Sequence, residues 1–324
     1  MEISKIKKYI KGIGITYGIY GFLYKFNDTT TNLARLKFGK EKFLKRKLNF
    51  LIKKYKNPKK YKKLRINSAK TTLNKFPIWF CWFQGLNNAP EIVRICYNSL
   101  TSNISNKQEI HVITMENLNE YIKVPTHIRK KIEKGTISLT LFSDFVRVAL
   151  LSKFGGFWID ATILVTSNIE ELCNYEYYTK KSDRIENNFG NYLVEGRFTI
   201  HLFKCSNTNL LVNFLYDALV FYYKKYDMPV DYYMTNLLVD LAYNYIPEIK
   251  KDMNKLSIND RGLEGRLGEL LNCEYNEEIY KIFINNMPFQ KLSYRNKLLK
   301  EKIDNKLTFY GYIKNKYLQG EKNE

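Results

Sequence analysis

"LFSDFVRVALLSKFGGFWIDATILV", residues 141–165, sets a helix and a strand side by side. From about Ser143 to Phe154 the apolar residues are dense enough for a buried helix, Gly155 and Gly156 suit its C-terminal stop, and Phe157 to Ile159 enter a strand ending at Asp160. Asp144 and Arg147 stand at i and i+3, so they share one helix face, near the helix N-terminus if Ser143 is the cap. Asp160 falls at the carboxyl end of a central strand, the place outside which open α/β sheets bind ligands. Two carboxylates and a guanidinium then converge on one crevice. Asp144 and Asp160 can accept hydrogen bonds from sugar hydroxyls or hold a divalent cation through oxygen, while Arg147 can pair with phosphate. Together these chemistries describe a sugar nucleotide site.

The pattern extends upstream. Ile78 to Phe83 in "FPIWFCWFQG" reads as a fully buried strand, Asn88, Ala89 and Pro90 open a helix striped by Ile92, Val93, Cys96 and Leu100, and Glu109 to Thr114 form the next strand. Strand, helix, strand implies a parallel sheet, and the expected class is α/β with helices on both faces. Tyrosine-rich runs such as "YDALVFYYKKY" (216–226) are read as helix packing rather than sugar stacking.

Charge divides the chain. Its 324 residues carry a net +21, but residues 1–75 hold 22 Lys and Arg against Glu2, Asp28 and Glu41, while the remainder is nearly neutral, with 31 basic and 29 acidic residues. A basic helical arm over 1–72 therefore precedes a catalytic domain over 73–324. Within the arm, "EKFLKRKLNFLIKKYK" (41–56) spaces Leu44, Leu48, Leu51, Ile52 and Tyr55 as one stripe of a basic amphipathic helix. Two uses compete for that stripe. It inserts shallowly into an anionic membrane surface, the reading the charge asymmetry favours, or it packs on the catalytic domain. Gly12 to Tyr24 offers a second shallow anchor but is too short to span a bilayer, and no cleavage site marks a signal peptide. Five scattered cysteines without a CxxC pair argue against a zinc ribbon and a disulfide framework and for a reducing compartment. His111, His127 and His201 lack metal-binding spacing and are read as structural, as are Trp79 and Trp158. Taken alone, Asp144 and Arg147 would be a surface ion pair and Asp160 a turn cap. Their apolar neighbours and shared spacing favour a common buried task.

Four segments, "IWFCWFQGLNNAPEIVRICYNSL" (78–100), "SDFVRVALLSKFGGFWIDAT" (143–162), "DYYMTNLLVDLAYNYIP" (231–247) and "FQKLSYR" (289–295), resemble the capsular polysaccharide synthesis protein family. That family is similar to glycosyltransferases of GT-A fold with an SDxxR…GGxYxDxD signature. The resemblance, roughly Phe76 to Tyr294, implies a GT-A-like, mostly parallel sheet and transfer from a nucleoside diphosphate sugar, expected to be a UDP-sugar. The acceptor it implies is a bacterial surface glycan or its lipid-linked precursor, at the inner face of the cytoplasmic membrane, with retention of configuration suggested. It further implies that Trp82 stacks on the nucleobase, that Asp144 and Arg147 hold the donor sugar, that Asp160 binds the ribose or a metal, and that Gly155, Gly156 and Thr162 complete the donor site. Thr162 stands where the wider group has a second aspartate, which weakens the expectation of Mn²⁺ or Mg²⁺; Asp231 and Asp240 are candidates for a replacement carboxylate. Two rivals remain, a toxin-like glycosyltransferase modifying protein and a non-enzymatic basic membrane- or nucleic-acid-binding protein. The second explains the arm but not the acid, base and glycine block, so nucleic acid is not an expected partner.

Overall fold

The computed structural model describes residues 30–57, 76–183, 189–295 and 298–319. The expected second anchor at Gly12 to Tyr24 and the basic segment 58–75 lie outside them. The described elements that build the site are α1 (Thr30–Tyr55), β1 (Phe76–Cys81), α2 (Glu91–Thr101), β2 (Gln108–Ile113), α3 (Leu139–Phe154), β3 (Gly156–Ile159), β4 (Ile163–Val165), β5 (Tyr177–Thr179), β6 (Leu202–Cys205), α4 (Leu210–Lys225), α5 (Met234–Tyr245) and β7 (Phe289–Lys291).

A mixed five-stranded sheet of order β2-β1-β3-β6-β5 forms the centre. Strands β2, β1 and β3 run parallel, whereas β6 pairs antiparallel to β3 and β5 antiparallel to β6, an antiparallel edge that strand-helix-strand reasoning did not anticipate. Both faces are covered. Along β1, Ile78 and Phe80 enter a cluster with Ile92, Val93, Cys96 and Leu100 of α2, while Trp79 enters another with residues of α1, α3, α4 and α5. A strand covered twice cannot alternate apolar with polar residues, which is why "IWFC" reads as continuous apolar sequence. Sequence order reverses direction between β1 and β3, so the carboxyl ends of these neighbours, Cys81 and Ile159, flank the crevice where such sheets take ligands.

Two boundaries differ from expectation. Helix α3 begins at Leu139 with Ser138 as its cap, its hydroxyl accepting from the Leu141 amide, so Ser143 is an interior residue and Asp144 lies in the second turn. Strand β1 ends at Cys81, which leaves Trp82 and Phe83 in the loop beyond it. Gly155 stops α3 at φ +72° as expected, and Gly156 follows at φ +105°. A Cβ on Gly156 would meet the Pro77 carbonyl oxygen at 2.4 Å, so close strand packing, not a ligand, explains this glycine.

Helix α1 belongs to the core. Leu44, Leu48, Leu51, Ile52 and Tyr55 are all buried with α4 and α5, Tyr55 packs on Phe214 and donates from its hydroxyl to Asp217 at 2.8 Å, and Lys40 pairs with Asp231. Of the two uses of the stripe, packing is therefore the one observed, and the expected shallow insertion of these five side chains is corrected. Burial contributes about 1.5–3 kcal/mol per side chain, and moving α1 to a bilayer would bury these five again while exposing the faces of α4 and α5 that they cover. The 216–226 aromatics behave as expected, with Tyr222 and Tyr223 fully buried.

Candidate active site

Helix α3 runs behind β1 and β3 and delivers Arg147 to the crevice. The side chain is only 4% exposed overall, yet every nitrogen is engaged. Nε donates to the Ser143 carbonyl at 3.2 Å; Nη1 donates to the Ile200 carbonyl at 2.9 Å and lies 3.2 Å from Asp160 Oδ1; Nη2 reaches Ser143 Oγ at 3.1 Å and Asp144 Oδ1 at 3.3 Å. This is not the exposed pair that i, i+3 spacing alone would suggest. A guanidinium so far from water is stable only because two carboxylates and two carbonyls surround it.

Asp160 sits one residue past β3, and its amide donates to the His201 carbonyl at 2.9 Å. Oδ1 accepts the Trp158 indole N–H at 2.7 Å, while Oδ2 meets Lys291 Nζ at 3.0 Å. Burial opposes the Asp160 charge, but Arg147, Lys291, His201 and the Trp158 N–H outweigh it and hold the carboxyl well below the ordinary carboxylate range. Asp144 is shifted the other way. Burial is the main cause, Asp160 adds to it, and Arg147 with the Thr235 hydroxyl, 3.1 Å from Oδ2, only partly compensates. One cation is thus flanked by a firmly ionised carboxylate and by one whose charge is harder to keep.

A cavity of about 260 Å³ opens here, lined among others by Cys81, Trp82, Ser143, Arg147, Trp158, Asp160, Thr162 and Tyr294. Trp82 and Tyr294 meet edge to face with ring centroids 5.3 Å apart. Cys81 is no nucleophile, because burial pushes its thiol up to about 12. The sequence-predicted residues divide accordingly. Trp82, Arg147, Asp160 and Thr162 line the cavity; Asp144 does not line it and acts on it through Arg147. Gly155 and Gly156 lie at the opposite end of β3 against Asn207 and Pro77, so their expected contact with a donor is replaced by a turn and a packing role. Asp231 is paired with Lys40 and Asp240 with Arg197, so neither joins Asp160.

Sequence reasoning gave no role to Lys291 and Tyr294, although both lie in the segment 289–295 that carries the family resemblance, and it missed Trp158 as a partner of Asp160 and an acidic cluster behind them. Trp158 is as buried as expected, but its ring also lies 4.9 Å from the Arg147 guanidinium carbon. Lys291 follows from strand register: β4 pairs with β7 so that Ile163 faces Lys291, the Leu292 amide donates to the Thr162 carbonyl at 2.8 Å, and Lys291 Nζ also donates to Thr162 Oγ1 at 2.8 Å. The Lys291 amide donates to the Glu264 carbonyl, whose residue's carboxylate meets His201 at 2.9 Å and Lys180 at 2.9 Å, with Asp260 3.4 Å from the same lysine. Burial works against the Glu264 charge, but His201 and Lys180 hold the carboxyl down to about 2. His111 and His127 are structural as expected, against Tyr121 and the Val220 carbonyl; His201 instead belongs to this cluster.

A divalent cation at Asp160 would be repelled by the two cations already beside it, Arg147 Nη1 3.2 Å from Oδ1 and Lys291 Nζ 3.0 Å from Oδ2. Among the described residues no three His, Cys, Asp or Glu side chains group as metal ligands. The residues present do not fit the expected Mn²⁺ or Mg²⁺. The family model described as capsular polysaccharide synthesis protein matches residues 27–313, which takes in α1 and every residue of the cavity. No curated protein and no solved structure matches the chain.

Proposed function

The chain belongs to the capsular polysaccharide synthesis protein family, which assigns it a role in capsule synthesis, and we propose that it is the glycosyltransferase of one such step. The single observation that carries this reading is the meeting of Trp82, Arg147 and Asp160 around one cavity at the β1/β3 switch point. An aromatic ring suits a nucleobase, a guanidinium suits a diphosphate, and an ionised carboxylate suits sugar or ribose hydroxyls. Parallel β2-β1-β3 followed by antiparallel β6 is compatible with the GT-A-like arrangement the reading requires.

In the proposed reaction the bond from the anomeric carbon to the diphosphate breaks with its electron pair on the phosphate oxygen. A bond from an acceptor hydroxyl oxygen forms at that carbon, and the hydroxyl proton is released. Negative charge therefore grows on the leaving diphosphate, and Arg147, preorganised by Asp144, Asp160 and two carbonyls, is placed to meet it. Asp144 is a positioning residue in this scheme. The donor is a UDP-sugar and the acceptor a growing surface glycan, lipid-linked at the inner face of the cytoplasmic membrane. Exposed lysines and arginines of α1 and the basic residues of 1–70 would hold the enzyme there by charge alone, since the α1 stripe is packed. Among the described residues no helix is long and apolar enough to cross a membrane. A hydrolysis screen of the full chain across UDP-, GDP-, ADP- and dTDP-sugars tests the reading, because slow donor hydrolysis needs no acceptor. Turnover of one nucleotide class is the expected result; silence toward all of them contradicts it.

A further inference from the structure

Lys291 stands where a metal-bridged site would hold its ion. Its ammonium bridges Asp160 Oδ2 at 3.0 Å and Thr162 Oγ1 at 2.8 Å, the two side chains at the spacing that in a paired-aspartate site would share a cation. Both bridged residues line the cavity. Charge balances in the same way. Two carboxylates with a dication are neutral, and so are one carboxylate and one ammonium, so threonine at 162 and lysine at 291 compensate for each other. A second aspartate at 162 without a metal would leave the pair with a net negative charge beside the diphosphate.

We propose that the Lys291 ammonium serves in place of a divalent metal, so that this chain binds the diphosphate of its donor without Mn²⁺ or Mg²⁺. The inference rests on the glycosyl-transfer reading. Backbone geometry supports a fixed cation: the Lys291 amide is tied to Glu264 at 2.7 Å, its strand is in register with β4, and Leu292 is tied to Thr162. Its side chain remains about one-third exposed (31%), and Asp160 and Thr162 take two of its three N–H donors, which leaves one for a phosphate oxygen. With Arg147 on the other oxygen of Asp160, two cations flank this carboxylate: Arg147 lines the cavity, and Lys291 is bonded to two residues that line it. The bland alternative is that Lys291 only pins β7 to the loop after β3.

Calorimetric titration of the full chain with UDP, and with GDP, ADP and dTDP if UDP is silent, separates these readings when each is run in EDTA and in Mn²⁺. Affinities within about twofold of each other in the two buffers are expected, and binding at least about tenfold tighter with Mn²⁺ would overturn the inference. Lys291→Gln should weaken nucleotide binding in EDTA by about tenfold or more, the loss expected for a charged hydrogen bond, and Lys291→Arg should recover most of it. A folded Lys291→Gln chain with unaltered affinity leaves the lysine a packing role and also overturns the proposal. If that variant does not fold, the comparison of buffers on the unaltered chain decides alone. Nucleotide binding that needs metal sinks only this inference, whereas no binding of any of the four nucleotides removes the glycosyl-transfer reading beneath it.

Discussion

Helices α1 and α3 are both long, both amply apolar and both basic, yet α1 turns its charges outward while α3 turns Arg147 inward. In α1 the stripe from Leu44 to Tyr55 is buried and residues such as Arg46, Lys47 and Lys53 are exposed, the ordinary division of an amphipathic helix. In α3 residues 145–152 are buried on every side, so its one guanidinium has no water to turn to and is surrounded by Asp144, Asp160 and two carbonyls. Charge count pointed to the arm as the functional surface. Burial of a charge together with its partners points to α3.

Substitutions test that contrast. The largest expected effect is on stability: Arg147→Met leaves buried Asp144 without its cation and Asp160 with Lys291 alone, and should cost about 3–5 kcal/mol in urea unfolding. Leu48→Ala in α1 should cost about 2–5 kcal/mol, and Lys53→Ala on its exposed face no more than about 0.5 kcal/mol. Equal costs for Arg147→Met and Lys53→Ala would erase the distinction. The cluster behind the site should show in acid. Glu264 has its folded value lowered to about 2 from an ordinary 4.5, so its contribution, about 3 kcal/mol, is present above the unfolded value and lost as pH falls from there towards 2. Glu264→Gln should flatten that part of the stability profile against pH; an unchanged slope would contradict the ion cluster.

Trp82→Ala should weaken UDP binding by about 1–3 kcal/mol while leaving the fold intact, since the residue lies beyond β1 at the cavity. Unchanged affinity would return Trp82 to packing against Tyr294. The smallest effect concerns α1. Deleting residues 1–70 would strip a helix from the core and cannot report on membranes, so charge reversal is the cleaner test. Arg46→Glu, Lys53→Glu and Lys56→Glu together should reduce sedimentation with anionic liposomes, at about 1 kcal/mol per charge near the surface, with the melting profile little changed. Undiminished sedimentation would move membrane contact away from this face.

Much of the site was legible because it is local. Asp144, Arg147, the glycine stop and Asp160 lie within residues 141–165, one run of continuous helix and strand pattern, and β1, α2 and β2 announce themselves by apolar runs and a proline-led helix start. What stayed hidden is non-local. Lys291 reaches Asp160 across 131 residues through two three-residue strands, too short for any period to register. The antiparallel edge β6-β5 has the same cause. His201 looked idle because its partner Glu264 is 63 residues away. The stripe of α1 was seen, but its destination was not, since an amphipathic pattern states that a face will be covered and not what covers it.

The carboxylate and guanidinium at the β1/β3 switch point are proposed to handle a sugar nucleotide. Donor hydrolysis by the full chain and by its Asp160→Asn variant, each checked for an intact circular dichroism spectrum, tests it most directly. The unaltered chain should turn over one nucleotide-sugar class, and Asp160→Asn should lose at least about a hundredfold in rate, some 3 kcal/mol of transition-state stabilisation. A folded Asp160→Asn chain that hydrolyses the donor as fast as the unaltered protein would contradict it.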